Sequence, residues 1–221
     1  IKKFIYGTLP YYFMKGYKPD SPYLKYYEYI KEHGYSRHLY EFKDEYTNMP
    51  VNVQKDEKKG LYYVQQEKKR LYFRKSTPPK KIQKYYKALS MEQDKRSPHH
   101  YFDSVKDVTG KVFVDVGCAE GYSSLEIVEE AKHIYLFEQD EQWLEAIRAT
   151  FEPWQDKVTI VQKYVSDHNS SREQTLDDFF NNQTDEHLFL KMDIEGAERH
   201  ALAGCKNLFQ NCQKLDFAIC T

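Results

Sequence analysis

Residues Val112 to Gly121 read Val-Phe-Val-Asp-Val-Gly-Cys-Ala-Glu-Gly, and this stretch constrains the fold more than any other. A short apolar run, Val112-Phe113-Val114, closes on Asp115. Gly117 and Gly121 follow at turn spacing, and residues 121–132 then carry the pattern of a helix. A strand, a glycine turn and a helix N-terminus in succession bring backbone N–H groups and the positive end of a helix up to a ligand. The pattern is Asp-x-Gly-x-x-x-Gly. It is neither the Gly-x-Gly-x-x-Gly of a dinucleotide fold nor the Gly-Lys-Ser/Thr of a P-loop, and with no lysine after Gly121 a triphosphate would lack its usual cation. An acid closing the strand suits instead a ligand with an ammonium group and hydroxyls.

Two further strand-like runs end in acids. His133-Ile134-Tyr135-Leu136-Phe137 leads into Glu138, which lies 17 residues beyond Gly121. That is close to where a doubly wound sheet places the carboxylate that grips a ribose diol, since one carboxylate can accept from both vicinal hydroxyls. Leu188-Phe189-Leu190-Lys191-Met192 leads into Asp193-Ile194-Glu195-Gly196. From Lys111 onward strands and helices alternate: strands are expected at 112–116, 133–138, 158–164, 187–193 and 215–220, and helices at 121–132, 140–152, 175–181 and 197–209. This is the signature of an α/β, doubly wound, mostly parallel sheet covered on both faces. Trp143, Ile147 and Phe151 recur every four residues and should face the core.

The three blocks together resemble the FkbM family of S-adenosylmethionine-dependent, Rossmann-like methyltransferases. The resemblance rests on Phe113-Val114-Asp115-Val116-Gly117, Glu120-Gly121-Tyr122-Ser123, Glu138, Thr175-Leu176-Asp177-Asp178-Phe179 and, most specifically, Lys191-Met192-Asp193-Ile194-Glu195-Gly196-Ala197-Glu198. It spans Phe102 to Thr221. It implies S-adenosyl-L-methionine as cofactor, a methyltransferase domain over 101–221 and an α+β extension over 1–100. Two more strands would complete such a sheet, so C-terminal strands are expected to be missing, as are residues from the short link between Asp167 and Thr175.

On this resemblance Gly117, Ala119 and Gly121 let backbone approach the cofactor, and Asp115 orients the loop or meets the methionine ammonium. Glu120, Tyr122 and Ser123 lie near the amino-acid tail. Glu138 takes the ribose diol with Gln139 beside the adenine, which Ser166 and Asp167 border. Asp193 belongs where the sulfonium methyl should sit. Asp193 or Glu195 would serve as the base for an acceptor hydroxyl, with Lys191 or His200 steering polarity. The alternative keeps Asp193 as a cofactor-positioning group and Glu195 as a helix cap. Ser97, His99 and Tyr101, just upstream of the first core strand, are candidates for lining the pocket. The acceptor class implied is a small molecule, sugar, or glycan or lipid precursor.

In the first hundred residues, Ile1 to Asp20 is expected to be an extended arm, and Ser21-Pro22 to start a helix that Gly34 ends. Alternating residues from Leu39 to Arg74 predict a small antiparallel meander, with a helix over 80–91. Its Tyr and Lys residues present either a glycan- or anion-binding face or a half-solvated sheet surface. A non-catalytic glycan-binding module on a methyltransferase scaffold and a nicotinamide-dependent oxidoreductase are the competing readings. The oxidoreductase is disfavoured by the missing glycine fingerprint and the absence of a Tyr-x-x-x-Lys pair.

Composition narrows the partners. Hydrophobic residues make up 40% and charged residues 30%, enough for a core. With 33 basic and 34 acidic residues the net charge is −1, so no basic field argues for nucleic acid. Cys118, Cys205, Cys212 and Cys220 form no Cys-x-x-Cys pair, which argues against a zinc ribbon or a disulfide scaffold and for a reducing, cytoplasmic setting. His99-His100 has no ligand-spaced partner, so no metal is expected. No run has membrane-spanning length. A homo-oligomer is compatible with all of this.

Overall fold

The computed structural model describes residues 2–35, 39–180 and 186–220. The last residue of the helix expected at 175–181 therefore lies outside the described residues. The chain divides into two compact units, Ile1–Met49 and Pro50–Thr221.

The first unit is helical from the start, not an extended arm. A π-helical turn, Phe4–Thr8, runs into α1 (Leu9–Tyr17), followed by α2 (Leu24–His33) and α3 (Lys43–Thr47). Pro10 falls in the first turn of α1, where its missing N–H breaks no helical bond. Tyr11 supplies the tertiary contact that overrides weak local propensity. It is buried, its hydroxyl donates to Glu28 at 3.1 Å, and Lys31 sits 4.0 Å from its ring centroid. Ser21 precedes α2 and accepts from the Tyr23 N–H, but the N-cap position itself is Tyr23.

In the second unit the predicted meander forms only from Val53 onward, as β1 (Val53–Asp56), β2 (Leu61–Gln66) and β3 (Lys69–Tyr72), antiparallel throughout, while α3 occupies part of the stretch from Leu39 that was expected to alternate as strand. Asp56 closes its first turn by accepting from the N–H groups of Lys58 and Lys59. After α4 (Pro79–Glu92), the alternating part runs β4 (Val112–Val116), α5 (Tyr122–Ile127), β5 (His133–Phe137), α6 (Glu141–Phe151) and β6 (Val158–Val161). A two-residue ladder follows, β7 (Tyr164–Val165) with β8 (Glu173–Gln174), then α7 (Leu176–Phe179) and β9 (Leu188–Met192). The chain continues through α8 (Glu198–Ala203), α9 (Lys206–Asn211) and β10 (Leu215–Ile219). Five strands form one parallel sheet in the order β10-β9-β4-β5-β6.

Alternation along β4 shows why the sheet is wound on both faces. Phe113 joins one core with Leu125, Ile134, Leu136, Trp143 and Ile147, while Val112, Val114 and Val116 join the other with Leu188, Leu190, Met192, Leu176 and Leu208. The first core also takes in Leu61, Leu71, Phe73 and Ile82 from the meander and α4. The contacts accordingly thin out after Met49 rather than at residue 100, where the sequence reading divided the chain.

Three expected elements are shorter than their patterns. The helix at 121–132 ends at Ile127, because the chain must turn to lay the Lys132 N–H on the Lys111 carbonyl. The strand at 158–164 ends at Val161, and Tyr164-Val165 pairs instead with β8. The helix at 197–209 breaks at Gly204, where a Cβ would come within 2.1 Å of the Ser166 carbonyl oxygen. Asp177 then caps α9 by accepting from the N–H groups of Asn207 and Leu208. Among the described residues no helix is long and apolar enough to cross a membrane.

Candidate functional site

The carboxyl ends of β4, β5, β6 and β9 open onto one cleft of about 720 Å³, the place where open parallel sheets bind ligands. Its walls include Gly117, Ala119, Glu138, Gln139, Ser166, Asp167, Asp193, Glu195 and His200, all singled out from the sequence.

The floor is set by two loops that touch. Gly117 has φ +76, and a Cβ there would lie 2.2 Å from the Asp193 carbonyl oxygen, so only glycine fits between the turns after β4 and β9. The sheet register sets Asp115 directly beside Lys191. Their side chains are 1% and 6% exposed and pair at 2.8 Å. Ser124 donates to the other Asp115 oxygen at 2.6 Å, and the Lys191 ammonium also donates to the Gly117 carbonyl at 2.8 Å. Burial opposes the charge on Lys191, but Asp115 outweighs it and the ammonium pKa is raised. Both residues thus differ from part of their expectation. Asp115 and Lys191 pair with each other beneath the glycine turn, and neither side chain lines the cleft.

Glu138 lines the cleft with both oxygens fixed: Oε2 accepts from the Ala119 N–H at 3.1 Å and Oε1 from the Asp140 N–H at 2.8 Å. Burial raises its pKa against these bonds. Each oxygen keeps a further lone pair for a ligand hydroxyl. Asp193 lines the same cleft. The Tyr101 hydroxyl donates to its Oδ2 at 2.7 Å, so Tyr101 reaches the site through Asp193. Glu195 holds a left-handed turn at φ +52 on the cleft wall. The carboxylate that closes this loop is Glu198, which accepts from the Ile194 and Gly196 N–H groups.

Asp167 is gripped by two imidazoles, His168 at 2.8 Å and His200 at 3.2 Å. The His168 bond, more than any other, holds its carboxyl at about 2. Glu120, Tyr122 and Ser123 lie behind the loop, outside the cleft wall. Glu120 is buried, accepts from the Tyr85 hydroxyl at 2.8 Å and is pushed up to about 7 by desolvation. The Tyr122 hydroxyl donates to Ser90. Ser97 is buried and its Oγ accepts from the His99 N–H; neither residue lines the cleft. Among the described residues no three of His, Cys, Asp and Glu are grouped as metal ligands.

The sequence reading missed one wall. Arg74, from just beyond β3, lies 4.0 Å above the Trp143 ring and pairs with Asp140 at 3.0 Å. Trp143, whose spacing points it to the core, is largely buried, yet it also lines the cleft. Lys163 and Tyr164, which follow β6, also line the cleft. Nothing in the spacing of Arg74 announces this, since its partners are tens of residues away.

The sequence model of the methyltransferase FkbM domain matches residues 25–214. No curated protein matches the chain. Similar solved structures include methyltransferase FkbM from Methylobacillus flagellatus KT, at 19% identity and a TM-score of 0.41 over 49% of this chain and 32% of that one. Precorrin-6y C5,15-methyltransferase from Geobacter metallireducens GS-15 is 17% identical, with a TM-score of 0.32 over 45% of this chain and 49% of that one. An rRNA methylase from Streptococcus thermophilus is 12% identical, with a TM-score of 0.38 over 60% and 69%. The chain thus spans about a third of the length of the first of these structures and half of the second. With the domain match running through both the glycine turn and the Lys-x-Asp-x-Glu-Gly string, the chain belongs to the FkbM methyltransferase family.

Proposed function

We propose that the chain binds S-adenosylmethionine in this cleft and directs its methyl group to a hydroxyl oxygen of a small-molecule or saccharide acceptor. The observation that carries the reading is the presence of Glu138 and Asp193 on one cleft, at the ends of β5 and β9, with Gly117 between them. The donor set fits the cofactor: a carboxylate held by two backbone N–H groups has lone pairs left for a ribose diol. The cleft volume is in the range that encloses a cofactor of this size.

When bound, the cofactor supplies an electrophilic methyl group on a sulfonium. The protein's own residues do the rest. Glu138 accepts from the ribose hydroxyls, and Gln139, Ser166 and Asp167 border the base. The Asp115–Lys191 pair fixes the glycine turn. Asp193 accepts the proton of the acceptor hydroxyl, aligned for in-line attack. Glu195 stands on the same wall as the alternative base. Family membership sets the nicotinamide reading aside.

Calorimetric titration with S-adenosylhomocysteine tests this. Micromolar binding is expected, with a loss of at least about tenfold in Glu138→Ala, the cost of two charge-assisted hydrogen bonds. Wild-type affinity in a folded Glu138→Ala variant would refute the ribose assignment.

A further inference from the structure

We propose that Tyr101 is a positioning residue that clamps Asp193, leaving one carboxylate oxygen free to meet the acceptor hydroxyl. The inference rests on the methyl-transfer reading of the cleft and names the group that prepares its base.

The hydrogen bond spans 92 residues of sequence, from the segment between α4 and β4 to the end of β9. It is the one side-chain hydrogen bond Asp193 makes among the described residues, and it falls on Oδ2. Oδ1 has no donor there, while Asp193 as a whole lines the cleft. A carboxylate held at one oxygen keeps a fixed plane and presents the other in a defined direction, which is what proton abstraction in an in-line displacement requires.

Tyr101 is itself held from three sides. Its N–H donates to the Gln93 side chain at 3.3 Å, which ties the segment to the end of α4. The next residue, Phe102, packs edge-on against Phe113 of β4 and Phe189 of β9, both at 6.4 Å. The Lys191 ammonium lies 5.2 Å from the Tyr101 ring centroid. The hydroxyl is therefore aimed by the core of the sheet, not by a mobile chain. Burial raises the Tyr101 pKa, so the group stays a neutral donor throughout the working range. The other charged groups around it are Lys191 and, behind that, Asp115, with the Cys220 thiol and Glu198 on the side of β10 and α8.

The test needs no acceptor. Protein labelled at the Asp side-chain carboxyl and the Tyr ring carbon bearing oxygen is compared by ¹³C NMR at one fixed pH near neutral, with Asp193→Asn identifying the Asp193 signal. In Tyr101→Phe the Asp193 carboxyl signal should shift, because its one side-chain donor is gone, with S-adenosylhomocysteine affinity within about twofold of wild type. In Asp193→Asn the Tyr101 ring signal should shift in turn, a readout that survives if Tyr101→Phe folds poorly. An unmoved Asp193 signal in a folded Tyr101→Phe variant, or a Tyr101 signal unchanged in Asp193→Asn, would overturn the clamp. Absence of S-adenosylhomocysteine binding by the wild type would instead overturn the methyl-transfer reading beneath it.

Discussion

Glu120 shows how one side chain can work against the fold that holds it. It is buried beside the glycine turn, where desolvation raises its carboxyl pKa against the opposing hydrogen bond from the Tyr85 hydroxyl. Its carboxyl rises from 4.5 to about 7. A raised acid pKa means that the folded state holds the proton more tightly than the unfolded one, so this contribution to stability is complete below pH 4.5 and is lost as pH rises to about 7. Glu120→Gln keeps an acceptor for Tyr85 and removes the charge. It should stabilise the protein by about 3 kcal/mol at pH 8, with the gain vanishing near pH 4.5, as read by urea denaturation at both values. Equal stability of the two proteins at pH 8 would refute the account. Residue by residue, the sequence was legible where chemistry and spacing coincide, as in Gly117, Glu138 and Asp193 at strand ends. It was silent where only three-dimensional proximity decides: Glu120 and Ser123 follow the same motif yet face inward, and Arg74 reaches the cleft from a distant strand.

Between elements, the pairing of β4 with β9 carries the largest electrostatic commitment. Asp115 and Lys191 are cross-strand neighbours with almost no exposure, and Lys191 also holds the Gly117 carbonyl. Removing one partner leaves the other charge buried without compensation. Lys191→Met should therefore cost about 3–5 kcal/mol in chemical denaturation, and Asp115→Asn combined with Lys191→Met should recover part of it. Additive losses in the double variant would show that the two residues do not form the coupled pair seen here. The strands themselves were readable because buried parallel strands are continuous apolar runs; all five residues of β4 and of β9 are buried. The helices were less so. Gly204 interrupts a helical pattern for a reason that lies in the Ser166 carbonyl 38 residues earlier, and α1 forms because Tyr11 finds α2, not because its own sequence favours a helix.

For the whole molecule, the question is which part of the chain must be present for the cleft to exist. Every residue of the cleft wall falls within 74–200, inside the second compact unit. A fragment of residues 50–221 should therefore melt cooperatively and bind S-adenosylhomocysteine within about threefold of the full chain. A fragment of 101–221, the boundary that the sequence pattern favoured, should fail to fold. It would expose the faces of Phe113, Ile134 and Ile147 that Leu61, Leu71, Phe73 and Ile82 now share in one core. Losing four fully buried side chains forfeits roughly 6–12 kcal/mol of burial, comparable to the entire stability of an ordinary domain. The fragment would also lack Arg74 over Trp143 and the Tyr85 hydroxyl on Glu120. The meander and α4 share one hydrophobic core with the strands and helices that follow them. Circular dichroism melts of the two fragments check this directly: a cooperative transition in 101–221 would restore the boundary at residue 100, and a non-cooperative one in 50–221 would place part of the required core before Pro50.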